Sequence, residues 1–291
     1  MLITEKLETY SFSPSEQSIV SFLLKNPNVI KDLTTAQIAD QTFTSKSTLV
    51  RVAQKLSFQG WNDFKQAFLA EVDYLDKTVS YVNANYPFGR YDGLTRIAHK
   101  MAKLKQEVIT ETLELLDSAM LEKVTKLLDC AKTIHLFAIS NNALLTKEFA
   151  LQMGRIGKDV RVHDLIGETV FNAYFADKDS CAIIVSYSGE NRTLNTIANL
   201  LKEKDIPIIL LTSLGENNLT ILTDNILRLS TREKLYSKIS SFATDESIIF
   251  LLDTLYACLF SLDYDGNRQK RITASQLLEV NRTSNSFVLR E

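Results

Sequence analysis

Cysteine is scarce: Cys130, Cys181 and Cys258 are the only three in 291 residues. They lie apart in apolar surroundings and form no C-x-x-C pair, so a disulfide framework is excluded and reduced core thiols are expected. Long apolar runs are missing too. Stretches such as 248–252 fall far short of the roughly 20 residues that a membrane span needs. The opening Met1-Leu2-Ile3-Thr4-Glu5-Lys6 has no apolar signal core. A cytoplasmic protein with no membrane partner is therefore expected. Charge of one sign does not dominate: 33 Lys+Arg face 35 Asp+Glu, a formal net charge of −2. Any contact with nucleic acid must use a local positive surface. Internal repeats and low-complexity segments are absent, and no cofactor or metal is expected.

Hydrophobic content of 45% and charged content of 23% are ordinary for a globular chain. The length suggests two domains. Residues 1–77 read as all-helical. Ser15, after Pro14, starts a helix with Ile19, Phe22 and Leu23 inward, and Asn26-Pro27 ends it. Thr34 caps a short helix over 35–40. A polar connection, Gln41-Thr42-Phe43-Thr44, leads to Ser45 as the cap of a second helix through Leu56. On that helix Leu49, Val52, Ala53 and Leu56 share one face, while Ser47, Thr48, Arg51 and Lys55 share another. Short helix, tight turn and hydroxylated, cationic helix make a helix-turn-helix. Residues 44–65 hold four cations against Asp63 alone. Ser45, Lys46, Ser47, Thr48, Arg51 and Lys55 are the DNA-binding candidates, with Thr48 and Arg51 for sequence choice and Lys46 and Lys55 for phosphates. A solvated face of a small bundle would account for the same pattern. Phe58, Trp61, Phe64 and Phe68 are read as its core.

Residues 78–93 carry neither helical nor strand period and read as a linker. A helix from Leu94 follows, with Ile97, Met101, Leu104, Val108 and Leu115 in a stripe and Thr112 in the missing slot. It buries against the next domain or a partner subunit. Strands then alternate with helices: 133–139, 160–162, 181–185, 208–211 and 225–229 read as strands, and 242–263 as a long apolar helix. The pattern implies a parallel, helix-flanked sheet. Residues 94–266 form this domain and 267–291 a polar tail with one helical patch near 272–280. At its centre Cys181-Ala182-Ile183-Ile184-Val185 reads as a strand buried on both faces, feeding Ser186-Tyr187-Ser188-Gly189-Glu190-Asn191-Arg192-Thr193 and then a helix. A hydroxyl-rich turn at a strand's carboxyl end, opening a helix, suits a phosphate monoester. Gly189 allows close approach, and Ser186, Ser188, Asn191 and Thr193 supply neutral donors. The Gly-Lys-Ser ending of a nucleotide P-loop is absent. A plain helix cap would use the same residues. Ser140-Asn141-Asn142 forms a second polar strand-to-helix turn.

The chain resembles the RpiR/MurR family of bacterial transcriptional regulators, a helix-turn-helix joined to a sugar isomerase (SIS) domain. The resemblance rests on Ser45-Lys46-Ser47-Thr48-Leu49-Val50-Arg51, Lys55-Leu56-Ser57-Phe58-Gln59-Gly60 with Trp61 and Phe64, Arg155-Ile156-Gly157, Ser186-Tyr187-Ser188-Gly189 and Ser240-Ser241. It departs from the family where a glycine-rich first turn is Phe137-Ala138-Ile139-Ser140-Asn141-Asn142, where a threonine is Asn191 and an acid is Thr193, and where a glycine is Ser57. The resemblance implies an α/β fold: an N-terminal all-α domain followed by an SIS domain with a five-stranded parallel sheet. It implies a regulator that binds double-stranded operator DNA and a phosphorylated sugar effector, the latter through residues 186–193 and Asn141 and Asn142. A homodimer or homotetramer is expected, because one helix-turn-helix reads too few base pairs. The alternative is a phosphosugar isomerase or lyase with a helical appendage, for which Glu190, His163 and Glu246 are the base candidates; no enzymatic activity is expected. A third possibility is a binding module that contacts protein rather than DNA.

Overall fold

The computed structural model describes residues 2–27, 29–79, 81–165, 167–279, 283, 284, 286 and 288, with 74–79 described by their backbone. The chain divides into two units, Met1–Asn83 with Leu214–Glu216, and Ala84–Ser213 with Asn217–Glu291.

The first unit is helical: α1 (Ile3–Thr9), α2 (Pro14–Lys25), a 3-10 turn (Val29–Asp32), α3 (Thr35–Gln41), α4 (Lys46–Lys55) and α5 (Trp61–Val79). Helix α2 begins one residue earlier than the sequence suggested. Pro14, whose fixed φ suits a first helical position, follows Ser13 as cap, and Glu16 accepts the Ser13 amide at 2.9 Å. Helix α1 has little pattern of its own. It is fixed by Glu71 on α5, which accepts from the Ile3 and Thr4 amides at 2.6 and 2.8 Å. Ile19, Leu23, Ile38, Leu49, Val52, Phe64 and Phe68 are fully or almost fully buried together. Phe64 stacks on Phe68 at 5.7 Å and meets Phe58 edge-on at 5.5 Å.

In the second unit come α6 (Leu94–Glu114), α7 (Ser118–Cys130), β1 (Thr133–Ala138), α8 (Asn141–Gly154), β2 (Asp159–His163), α9 (Thr169–Tyr174), β3 (Ser180–Val185), α10 (Arg192–Glu203), β4 (Ile208–Thr212), β5 (Asn225–Arg228), α11 (Phe242–Leu262) and α12 (Tyr264–Leu278). All five strands are parallel in the order β2-β1-β3-β4-β5. Successive residues face opposite sides. Leu136, Ile183 and Leu211 pack with Phe149 and Met153 of α8 and Leu255 of α11 on one side. Phe137, Ile184 and Leu210 pack with Leu194 and Ile197 of α10 on the other. The stripe on α6 is resolved in favour of its own unit: Leu104 and Val108 are buried, α6 lies on α11, and Thr112 pairs with Ser247 at 2.8 Å.

Two segments differ from the sequence reading. Residues 84–93 pack onto the second unit: Ala84 is buried, and Asn85 bonds the backbone of Arg232, Lys234 and Ile239. Their aperiodic sequence reflects fixed turns, not an extended connection. The chain after Asp263 is a full helix, because the Asp263 side chain accepts the Gly266 amide and restarts helical turns at a sharp bend. Val280, the end of the expected patch, lies outside the described residues.

Three helices end in paired backbone bonds of the Schellman type around a left-handed residue that is not glycine. After α3, Thr44 N bonds Ala39 O and Phe43 N bonds Asp40 O, with Phe43 at φ 53°. Ser57 (φ 70°) and Asp205 (φ 58°) hold the same place after α4 and α10. Glycine is the usual occupant, since a β-carbon is strained there. Ser57→Gly should raise stability by about 0.5–1 kcal/mol in denaturant melts. No gain would show that the strain is relieved elsewhere.

His135 on β1 and His163 on β2 share a hydrogen bond of 2.8 Å between Nδ1 and Nε2, and His163 stacks on Phe137 at 4.8 Å. Burial pushes both below the ordinary 6.5, His163 to about 4 with the His135 charge and then Arg161 as further causes. A folded value below the unfolded one means that the unfolded chain takes up more protons in acid. This contribution to stability is therefore complete above pH 6.5 and is lost as pH falls towards 4. The melting temperature should drop between pH 7 and 5, and less so for His163→Gln. Parallel pH profiles for the two proteins would refute the assignment.

Candidate functional site

Two surfaces collect the residues singled out above. On the first unit, Ser45 caps α4 by accepting the Thr48 amide at 3.3 Å, and its hydroxyl lies 2.7 Å from that of Ser47. Leu49, Val52 and Ala53 face inward, as the amphipathic pattern requires. Ser45, Lys46, Ser47 and Arg51 are exposed. Two candidates are placed differently. Thr48 is buried, its hydroxyl 2.9 Å from Ser45 Oγ and accepting from Arg51 Nη2 at 3.1 Å, so it orients Arg51 and does not present itself. Lys55 lies 3.3 Å from Glu16 and over the Phe12 ring at 5.0 Å. Glu16 is kept ionised first by the Ser13 amide, against burial, and then by Lys55. Gln54 is an exposed neighbour of Arg51 that the sequence reading passed over. Its signal was its place seven residues after Ser47, on the same helical face.

The second surface arises from topology. Strands β1 and β3 are neighbours, with Ala138 opposite Val185. The helix after β1 covers one face of the sheet and the helix after β3 covers the other. Their connections part at this point and leave a crevice at the carboxyl ends, where ligands bind in open α/β sheets of this strand order. The turn after β1 holds Ser140 at φ 57°, ψ −130°, a conformation that glycine tolerates best. Next to it Asn141 donates from Nδ2 to both carboxylate oxygens of Asp245 on α11, at 2.9 Å each. Asn141 is thus engaged with protein, while Asn142 is half-buried and its side chain makes no hydrogen bond among the described residues. Burial raises the Asp245 carboxyl; the Asn141 bond opposes this, and the Glu233 charge adds to it.

Across the crevice, the Ser186 amide continues the ladder to Leu211 O at 3.0 Å, while its hydroxyl has no protein partner among the described residues. Ser188 Oγ accepts the Glu190 amide at 3.3 Å. Asn191 Oδ1 accepts the Leu194 amide at 3.1 Å, so Asn191 does cap α10, and only its amide nitrogen remains to donate. Other first-turn amides of α10 have no intrahelical acceptor and, with Thr193, face the same end. Gly189 has a reason other than the close ligand approach expected from sequence. It sits at φ 69°, and a β-carbon there would fall 2.0 Å from Asn217 Cγ. Asn217 in turn donates to Thr212 Oγ1 at 3.0 Å and accepts the Leu219 and Thr220 amides.

The three base candidates are occupied. Glu190 binds the amide and side chain of Asn218, His163 binds His135, and Glu246 binds Lys105 at 2.5 Å. Tyr187 donates to Glu233 O at 2.8 Å. The Glu233 carboxylate is buried and accepts from Ala243 N, Thr244 Oγ1 and Lys238 Nζ at 2.6, 2.7 and 3.0 Å. It thereby fixes the start of α11 beside the crevice. Nothing local in the sequence marked Asp245, because its partner Asn141 lies on the far side of the domain sequence, after β1. A depression of about 250 Å³ among Lys202, Pro207, Thr223 and Asn225 lies at the opposite, amino-terminal ends of β4 and β5. Among the described residues no group of three or more His, Cys, Asp or Glu is arranged to hold a metal, and no single helix is long and apolar enough to cross a membrane.

Comparison with known proteins agrees with this architecture. Residues 1–73 match the model of the helix-turn-helix domain of the rpiR family, and residues 127–255 match that of the SIS domain. An uncharacterized HTH-type transcriptional regulator of Haemophilus influenzae is 27% identical over 274 residues, 92% of this chain and 93% of that one. Among solved structures, the Vibrio vulnificus NanR protein complexed with ManNAc-6P is similar over 97% of this chain and 99% of its own, with a TM-score of 0.59 and 19% identity. The sugar isomerase domain of an RpiR transcription factor from Sphaerobacter thermophilus covers 62% of this chain and 98% of its own, with a TM-score of 0.55 and 14% identity. The chain thus joins a helix-turn-helix domain of the rpiR family to an SIS domain, the arrangement expected of a transcriptional regulator.

Proposed function

We propose that this protein is a cytoplasmic transcriptional regulator that binds operator DNA through α4 and senses a phosphorylated sugar at the crevice between β1 and β3. The observation that carries the reading is the turn 186–193. It carries the Ser186 hydroxyl, which has no protein partner among the described residues, and leads into Thr193 and the first-turn amides of α10 at a topological switch point. Neutral donors and a helix N-terminus hold an anion without a lysine. Asn142 and the Asn191 amide nitrogen are further donors in this proposed set. The similarity to NanR, itself complexed with ManNAc-6P, supports the same class of effector. An isomerase reading is less supported, since Glu190, His163 and Glu246 are each tied to another side chain.

Effector binding is tested by calorimetric titration with ManNAc-6P, other sugar phosphates and their unphosphorylated parents. The parents should bind far more weakly. Ser186→Ala and Thr193→Ala should each lose roughly tenfold or more, the worth of one hydrogen bond to a charged group. Variants that match wild type would reduce the turn to a helix cap.

On DNA, Arg51→Ala should cost about 1–3 kcal/mol on the cognate duplex if its contact is bidentate to guanine. Lys46→Ala should lower the salt dependence of binding, whereas Lys55→Ala should change it little, because Lys55 is already paired. Full binding by the Arg51 variant would move the reading surface off α4. A homodimer or homotetramer would supply paired half-sites; light scattering at micromolar concentration checks it, and the mass of one chain would refute it.

A further inference from the structure

Phe43 lies in the turn between α3 and α4 and has two unusual properties. The residue is 97% exposed, although the aromatic residues after α4 are packed in the core. Its backbone is left-handed at φ 53°, in the position of a helix end where glycine is the usual occupant. An apolar ring in water and a β-carbon in a strained conformation both oppose folding, and glycine would remove both. No packing within the protein compensates for either: Phe43 belongs to no buried cluster among the described residues. What surrounds it in the chain is the face assigned to DNA. Ser45, Lys46 and Ser47 follow within four residues, all exposed, and Arg51 stands one turn further on.

We propose that Phe43 is a DNA-contacting residue, its ring packing on thymine methyl groups or deoxyribose at the border of the base-reading helix. Such contacts are an established way for an apolar side chain to read the major groove. The ring carries no charge and releases no counterion. Its share of the affinity should therefore be independent of salt, unlike that of Lys46 or Arg51. The inference rests on the DNA-binding role of α4 and adds a residue that the cationic pattern alone did not reveal.

The experiment uses the full-length protein and a labelled duplex that the wild type has selected from a random-sequence library, titrated at about 50 and 200 mM salt. Phe43→Gly should melt about 2–4 °C higher, through relief of strain. It should nevertheless bind roughly tenfold or more weakly, the effect of losing the burial of on the order of 55 Å² of apolar surface. The slope of affinity against salt should be unchanged, and Phe43→Leu should fall between the two proteins. Ser57→Gly, which relieves the same strain after α4, should bind like wild type. The proposal is overturned if Phe43→Gly binds within about twofold of wild type. A shallower salt slope would overturn it too, since the ring would then only support the cations. So would an equal loss in Ser57→Gly, which would make helix-end geometry the cause. If the wild type selects no duplex, the DNA-binding reading itself falls; if it selects one and Phe43→Gly binds normally, only this inference does.

Discussion

The second unit depends on one constraint, that a parallel sheet must be covered on both faces while its strands keep running in one direction. Cys181, Ile183 and Val185 pack on one side, Ala182 and Ile184 on the other. Each connection must therefore cross a face, and where two adjacent strands send their connections to opposite faces the carboxyl ends stay uncovered. That opening comes from hydrophobic burial alone. The polar turns 140–142 and 186–193 give it chemistry, and Glu233 and Asp245 at the start of α11 hold its third side.

The first unit obeys a different rule. Its helices are short, so side chains at their ends decide where each begins and stops. Glu16, Glu71, Thr34 and Ser45 each accept backbone amides at a helix start. Glu16 also takes Lys55, so a residue that completes one helix draws a cation away from the face of another. Local capping and the charge on the exposed face of α4 are in this way linked.

How much was legible in the sequence followed from the range of each interaction. Strands such as 181–185 and the amphipathic face of α4 announce themselves by period and burial. The parallel, helix-flanked character of the sheet came from the same patterns, whereas its strand order is set by contacts between segments far apart in the chain. Helix α1 escaped notice because its stability lies in Glu71, some seventy positions away. Helix α9, six residues long, is too short to show a period. At the candidate site, Ser186 and Thr193 lie where the turn pattern put them. Asn141 and Lys55 are engaged by partners, Asp245 and Glu16, that only the folded chain brings near, and Thr48 by burial and by Arg51 one turn on in the same helix.

The side chain of Asn217 fills the space where residue 189 would carry a β-carbon. Two loops separated by almost thirty positions are therefore one fitted piece, with Gly189 as the socket and Asn217 as the plug. Anyone transplanting a turn from another SIS protein into this position would have to carry the 217–220 loop with it. A donor turn with alanine or serine at 189 would displace Asn217, and with it the amides of Leu219 and Thr220 that Asn217 holds. The unit of exchange in this fold is the pair of loops.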